Sequence, residues 1–222
     1  QQALLNRIQE KAARNLATYL DNMKEGDPYP MAAMATGIGK GNIIHRVIER
    51  QMRRKKDEKV LLIAGTKLVL VKQTHEALAG YRNQEQKDFD YIGSEEDDEL
   101  VEETTSMEEN PLEDQKSSLY KTGKMRQQDA NVHIATIQTV QSEITRGRIN
   151  PDDYGLEIID EVHNIGTPKR KDTVHKFKKA VGFTATPYRH SGGMKSPEQY
   201  GFEVIESLPL PEAQGLRLLP PL

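Results

Sequence analysis

Apolar residues recur at three- and four-residue spacing through the first twenty positions, where Leu4, Leu5, Ile8, Ala12, Leu16 and Leu20 share one helix face. The pattern stops before Gly26-Asp27-Pro28, a turn cluster. A short apolar run, Met31 to Met34, leads into a glycine-rich stretch. Ile43, Ile44, Val47 and Ile48 then resume the helical spacing, predicting a helix from about Asn42 to Arg53. Val60-Leu61-Leu62-Ile63-Ala64 is apolar at every position and of strand length, as expected of a strand buried on both faces of a parallel sheet. Leu68, Val71 and Leu78 predict a helix from about Lys67 to Tyr81, and Phe89-Asp90-Tyr91-Ile92 a short strand. Farther on, Asn131 to Thr136 reads as a strand followed by a helix starting near Thr139. Leu156 to Asp160 and Ala180 to Phe183 read as two more strands. Strands alternating with crossovers predict an α/β domain whose mostly parallel sheet carries helices on both faces.

Composition sharpens this picture in one place. At 222 residues and 25.1 kDa the chain can bury a proper core, and one α/β domain spanning 1–222 is the expectation. The net charge of -3 hides an uneven distribution. Asp88 to Asp114 holds 13 acidic residues and no Lys or Arg, leaving 21 acidic against 31 basic residues elsewhere, a net of +10. Residues 94–115 read as a solvated acidic insert, because such a run repels itself and buries little. The sharper alternative is an electrostatic mimic of nucleic acid over a basic surface. The absence of cysteine excludes disulfides and thiolate metal sites and fits a reducing, cytoplasmic setting. Neither an 18-residue apolar span nor a leader is visible, so no membrane partner is expected. The start at Gln1 predicts a segment of a longer protein.

Three stretches can carry chemistry. Thr36-Gly37-Ile38-Gly39-Lys40-Gly41-Asn42 lies where a strand hands over to a helix. Glycines there allow a tight turn that aims several N–H groups at an anion, the helix adds its positive end, and Lys40 supplies a point charge. Ile158-Ile159-Asp160-Glu161-Val162-His163 sets two carboxylates at the C-terminal end of a buried strand, the edge of an open sheet where ligands bind. Asp160 is suited to Mg²⁺, a hard cation, and Glu161 to orienting and deprotonating a water. Phe183-Thr184-Ala185-Thr186-Pro187 ends another strand with two hydroxyls. Each stretch alone also fits an ordinary turn.

Together, in this order and spacing, they resemble motifs I, II and III of superfamily 2 helicases and translocases over nearly the whole chain. Ala64 to Val69 with Gln73 is similar to motif Ia, and Ile134 to Thr139 to the later strand-edge motif that touches a nucleic-acid backbone. Gln9 stands where such proteins carry an adenine-reading glutamine, with Arg7 one place off the usual spacing. Tyr188-Arg189 and Glu206 to Ala213 are most similar to the branch holding restriction-enzyme motor subunits and excision-repair helicases, and RNA helicases of the DEAD-box type match less well.

The resemblance implies a three-layer RecA-like P-loop domain, the first of a pair, with residues 190–222 leading towards the second. It implies ATP and Mg²⁺ as cofactors, a nucleic acid (DNA in expectation) as partner, and restriction or repair subunits as further partners. Lys40 would neutralise phosphates held by the amides of Gly37 to Gly41, flanked by Thr36 and Asn42, with Gln9 on the adenine side. Asp160 would hold magnesium and Glu161 polarise water, while His163, Thr184 and Thr186 would relay nucleotide state. Thr66, Lys67 and Thr136 would meet phosphates of a single strand.

One position departs from the pattern. The residue after the lysine should be Thr or Ser, whose hydroxyl ligates Mg²⁺, and here it is Gly41. A non-catalytic nucleotide-dependent binding module is therefore the competing reading. A small-molecule P-loop kinase is the third, and it leaves Thr184 to Pro187 and Gln73 unexplained.

Overall fold

The computed structural model describes residues 1–55, 58–64, 89–92, 131–185 and 197–219, the 89–92 stretch as backbone alone. The expected helix at 67–81, the acidic insert and the side chains of Thr66, Lys67, Gln73 and Thr186 lie outside the described residues.

Seven strands form one sheet: β1 Tyr29–Met34, β2 Lys59–Ile63, β3 Phe89–Ile92, β4 Val132–Ala135, β5 Tyr154–Ile159, β6 Ala180–Thr184 and β7 Phe202–Leu208. Their order is β3-β4-β2-β5-β6-β1-β7 and every recorded pairing is parallel. The described helices are α1 Gln2–Asn22, α2 Lys40–Arg54, α3 Ile137–Thr145, α4 Pro168–Val174 and α5 Leu210–Gly215.

Two apolar clusters account for the three layers. Val60 and Leu62 of β2 point to one face, where Leu16 and Ala13 of α1 and Ile43, Val47 and Ile48 of α2 close over Ile158 and Phe183. Leu61 and Ile63 alternate to the other face and meet Ile137 and Val140 of α3, Val174 and Phe177. The period-2 geometry of a strand thus turns a run of consecutive apolar residues into two cores at once. Each fully buried Leu, Ile or Phe contributes about 1.5–3 kcal/mol of transfer free energy.

Three boundaries differ from the sequence expectation. Strand β1 starts at Tyr29, two residues early, because the Tyr29 amide donates to Gly201 O (2.9 Å) and pairing with β7 continues from there. Helix α2 begins at Lys40 and α3 at Ile137, each about two residues early. Strand β7 was not assigned from sequence at all. It is an edge strand whose middle residues are only partly buried, so its apolar signal is diluted by Glu203 and Glu206.

Candidate active site

Strands β5, β6 and β1 are neighbours, with Ile159 opposite Gly182 and Ala33 opposite Thr184, so their C-terminal tips lie side by side.

The first tip is the β1–α2 loop. Gly37 (φ 93°) and Gly39 (φ 82°) both take the left-handed conformation that side chains resist. A Cβ on Gly39 would stand 2.5 Å from Gln9 Nε2, and one on Gly37 would stand 2.8 Å from Leu219 Cδ2. The loop is pinned from beneath by Ile38, wholly buried, whose carbonyl accepts from Gln9 Nε2 at 2.8 Å. Gln9 is itself 1% exposed, and its Oε1 has no hydrogen-bond partner among the described residues. Thr36 and Gly41 are exposed, and Asn42 is half-buried with its amide nitrogen close to Gly39.

The second tip carries the acidic pair. The Asp160 amide donates to Ile63 O at 2.9 Å, extending the ladder one residue past β5, and Asp160 Oδ1 accepts from the Glu161 amide at 2.9 Å. Glu161 then turns left-handed (φ 53°), which throws its side chain towards the β1 loop. Lys40 Nζ donates to Glu161 Oε1 and lies 3.3 Å from Asp160 Oδ1. Burial raises the Asp160 pKa above the ordinary value, an effect Lys40 partly offsets and Glu161 reinforces.

The third tip is Thr184, fully buried, whose Oγ1 lies 2.8 Å from His163 Nδ1. The same ring nitrogen is 3.3 Å from Glu161 Oε2, so His163 bridges the acidic turn and β6. That approach depends on Gly182, where a Cβ would stand 2.9 Å from Val162 Cγ2. Gly182 and Val162 were not singled out from sequence; a glycine inside an otherwise apolar strand was the available signal.

Of the expected residues, Lys40, Asp160, Glu161, His163 and Thr184 therefore meet in one place, with Gln9, Gly37, Ile38 and Gly39 beside them. Thr136 stands apart. It is 2% exposed and caps α3, its Oγ1 accepting from the Thr139 amide at 3.2 Å and donating to Thr139 Oγ1 at 3.0 Å.

The sequence profile of the family described as "Type III restriction enzyme, res subunit" matches residues 2–189. The chain belongs to that family. This res-subunit family member is 30% identical over 161 residues to a Methanocaldococcus jannaschii protein whose name assigns it provisionally as an ATP-dependent RNA helicase; the match covers 71% of this chain and 18% of that protein. Its fold is that of the Pyrococcus furiosus Hef helicase domain (20% identity, TM-score 0.61, 93% of this chain and 39% of that one). It is also that of LlaGI, a type ISP restriction-modification enzyme solved with a DNA substrate mimic (18% identity, TM-score 0.61, 95% of this chain and 20% of that one). The domain is thus a superfamily 2 RecA-like domain of helicase type, and it spans well under half the length of each of these relatives.

The family implies a triphosphate and magnesium, and the donors present fit both. The positions at Gly37 and Gly39 that a Cβ would fill, together with the Lys40 ammonium, form a cradle for anionic oxygens. Asp160 offers one hard oxygen ligand, which suffices for Mg²⁺ because that ion keeps several waters and takes the rest from phosphates. Among the described residues no group of three or more His, Asp or Glu could hold a metal alone.

Proposed function

We propose that this domain is the first motor domain of an ATP-dependent nucleic-acid helicase or translocase, that it binds Mg-ATP, and that paired with a second RecA-like domain it couples hydrolysis to tracking along DNA. The observation that carries the reading is the convergence of Lys40 on Asp160 and Glu161 across 121 residues of sequence, at the C-terminal edge of a parallel sheet.

Magnesium, when bound, would supply neutralisation of phosphate charge. The chain's residues do the rest. Lys40 and the amides of residues 37–41 hold the phosphates. Asp160 would hold the metal. Glu161, held at the edge by its left-handed backbone, takes the proton from the attacking water. His163 stands between Glu161 and Thr184, so a change in the Glu161 position alters what β6 presents beyond its tip. Restriction-system relatives favour DNA as the track, a preference that comes from likeness alone.

The test is the ATPase rate of the full natural chain with single-stranded DNA, duplex DNA, RNA or no nucleic acid. Glu161→Gln is expected to keep ATP affinity within a few-fold and lower turnover by about 10²–10⁴-fold. Lys40→Ala is expected to lose affinity as well. Turnover unaffected by Glu161→Gln would sink the assignment of that carboxylate. A second reading, a nucleotide-gated binding module without turnover, is favoured by Gly41, which offers no hydroxyl to the metal. It predicts nucleic-acid binding that responds to ATP with no phosphate released.

A further inference from the structure

Many cations among the described residues are paired with carboxylates. Those facing α1 and the end of α2 are matched: Arg46 and Arg50 both bind Glu10, Arg54 binds Asp21, and Lys55 lies 3.3 Å from Glu58. A separate cluster of four lysines lies at the opposite end of the sheet from the candidate active site. There the starts of β1, β6 and β7 and the turns before them enclose a cleft of about 750 Å³ lined by Lys24, Lys176, Lys178 and Lys179. None of these four has an ion-pairing carboxylate among the described residues. Two carboxylates share the lining. Asp27 is engaged as acceptor from the Lys24 amide at 2.8 Å, and Glu25 is exposed.

The frame holding these lysines is built rather than incidental. Phe177 is 2% exposed and its carbonyl accepts from Tyr29 Oη at 2.5 Å, so Lys176 and Lys178 on either side of it are turned out to solvent. His175 stacks on Tyr29 with ring centroids 5.1 Å apart, and its Nε2 lies 2.5 Å from Tyr200 O. Gly201 lets that ring approach, since a Cβ there would stand 2.9 Å from His175 Cε1. Burial, then the neighbouring Lys55, holds the Lys179 pKa below its usual value, while Glu58 pushes it the other way.

We propose that this cleft is a second nucleic-acid contact, receiving the phosphate backbone of duplex DNA on the edge of the sheet opposite the phosphate loop. The inference rests on the nucleic-acid reading above and deepens it. Six residues of β1 separate the two edges, about 20 Å at strand rise, so a duplex held here is distinct from anything at the strand tips. Lysines on flexible stems suit phosphates, as mobile point charges that need no fixed register. Among the described residues, the exposed large apolar side chains, Leu4, Leu210 and Leu216, lie outside this lining.

The experiment measures affinity of the full natural chain for a labelled 20-base-pair duplex across a salt series, for wild type, Lys176→Glu/Lys178→Glu/Lys179→Glu and the matching Lys→Gln triple variant. Three lost phosphate contacts should flatten the slope of log K against log salt by about 2–3. Affinity at low salt should fall at least ten-fold for Glu and less for Gln, with ATP affinity and melting temperature held. An unchanged slope in both variants overturns the cleft while leaving the motor reading intact. A wild type that binds neither single strand nor duplex overturns both. Unchanged duplex binding with lost affinity for a poly-glutamate peptide assigns the face to an acidic protein and overturns the proposal.

Discussion

A hydroxyl is missing at Gly41, and the surroundings make that absence testable. A Cβ there meets nothing within 4 Å, and its backbone lies outside the left-handed region. Gly41→Thr should therefore fold without strain and add a ligand oxygen next to Lys40. The expected outcome is faster Mg²⁺-dependent turnover and a lower magnesium requirement. Gly41→Ala serves as the control, since it also relieves the helix cost of glycine, up to about 1 kcal/mol, without adding oxygen. If both variants gain stability and neither gains rate, the metal is held another way. Gly39 is the opposite case: its left-handed backbone and the 2.5 Å approach of Gln9 leave no room for substitution. The sequence displayed both glycines equally, and only the packing of Gln9 beneath the loop separates the replaceable one from the fixed one.

At the scale of elements, strands with dense apolar signal were legible, the edge strand β3 among them, and the edge strand β7 was not. Val60 to Ile63 announces itself through a continuous apolar run, and Leu156 to Ile159 through one broken only by Glu157, because neighbours on both sides of the sheet demand it. Strand β7, half-solvated at the edge, carries no such run. Helix α3 shows a different limit. Thr136 reads from sequence as a strand-edge residue for a nucleic-acid phosphate, and in the fold its hydroxyl caps the first turn of α3. Thr136→Ala should cost about 1 kcal/mol, and hence about 2–4 °C in melting temperature, while Thr136→Ser should restore most of it. Nucleic-acid affinity should follow stability in that series. A large affinity loss in Thr136→Ala at unchanged melting temperature would show that the hydroxyl does more than cap.

For the whole molecule, the acidic pair that faces the candidate active site and the carboxyl that faces the core obey opposite rules. Asp160 and Glu161 keep company with Lys40, whereas Glu157 on β5, three residues before Asp160, is fully buried with neither oxygen hydrogen-bonded among the described residues. Burial pushes the Glu157 pKa well above the usual carboxyl value, so the folded protein carries a proton that the unfolded chain releases at lower pH. The native state therefore binds more protons than the denatured state between those two values. This contribution to stability is fully present below the unfolded value near 4.5 and is lost as pH rises through the raised folded one. Glu157→Gln keeps shape and removes the titration. It should raise the melting temperature at pH 8, by about 2–4 °C for each kcal/mol recovered in a domain of this size, and change it far less at pH 4.5. The wild-type-minus-variant difference should accordingly grow with pH, while ATP affinity, set at the far tip of β5, stays level. A difference independent of pH would mean that Glu157 has a counter-charge in the folded protein and is ionised there.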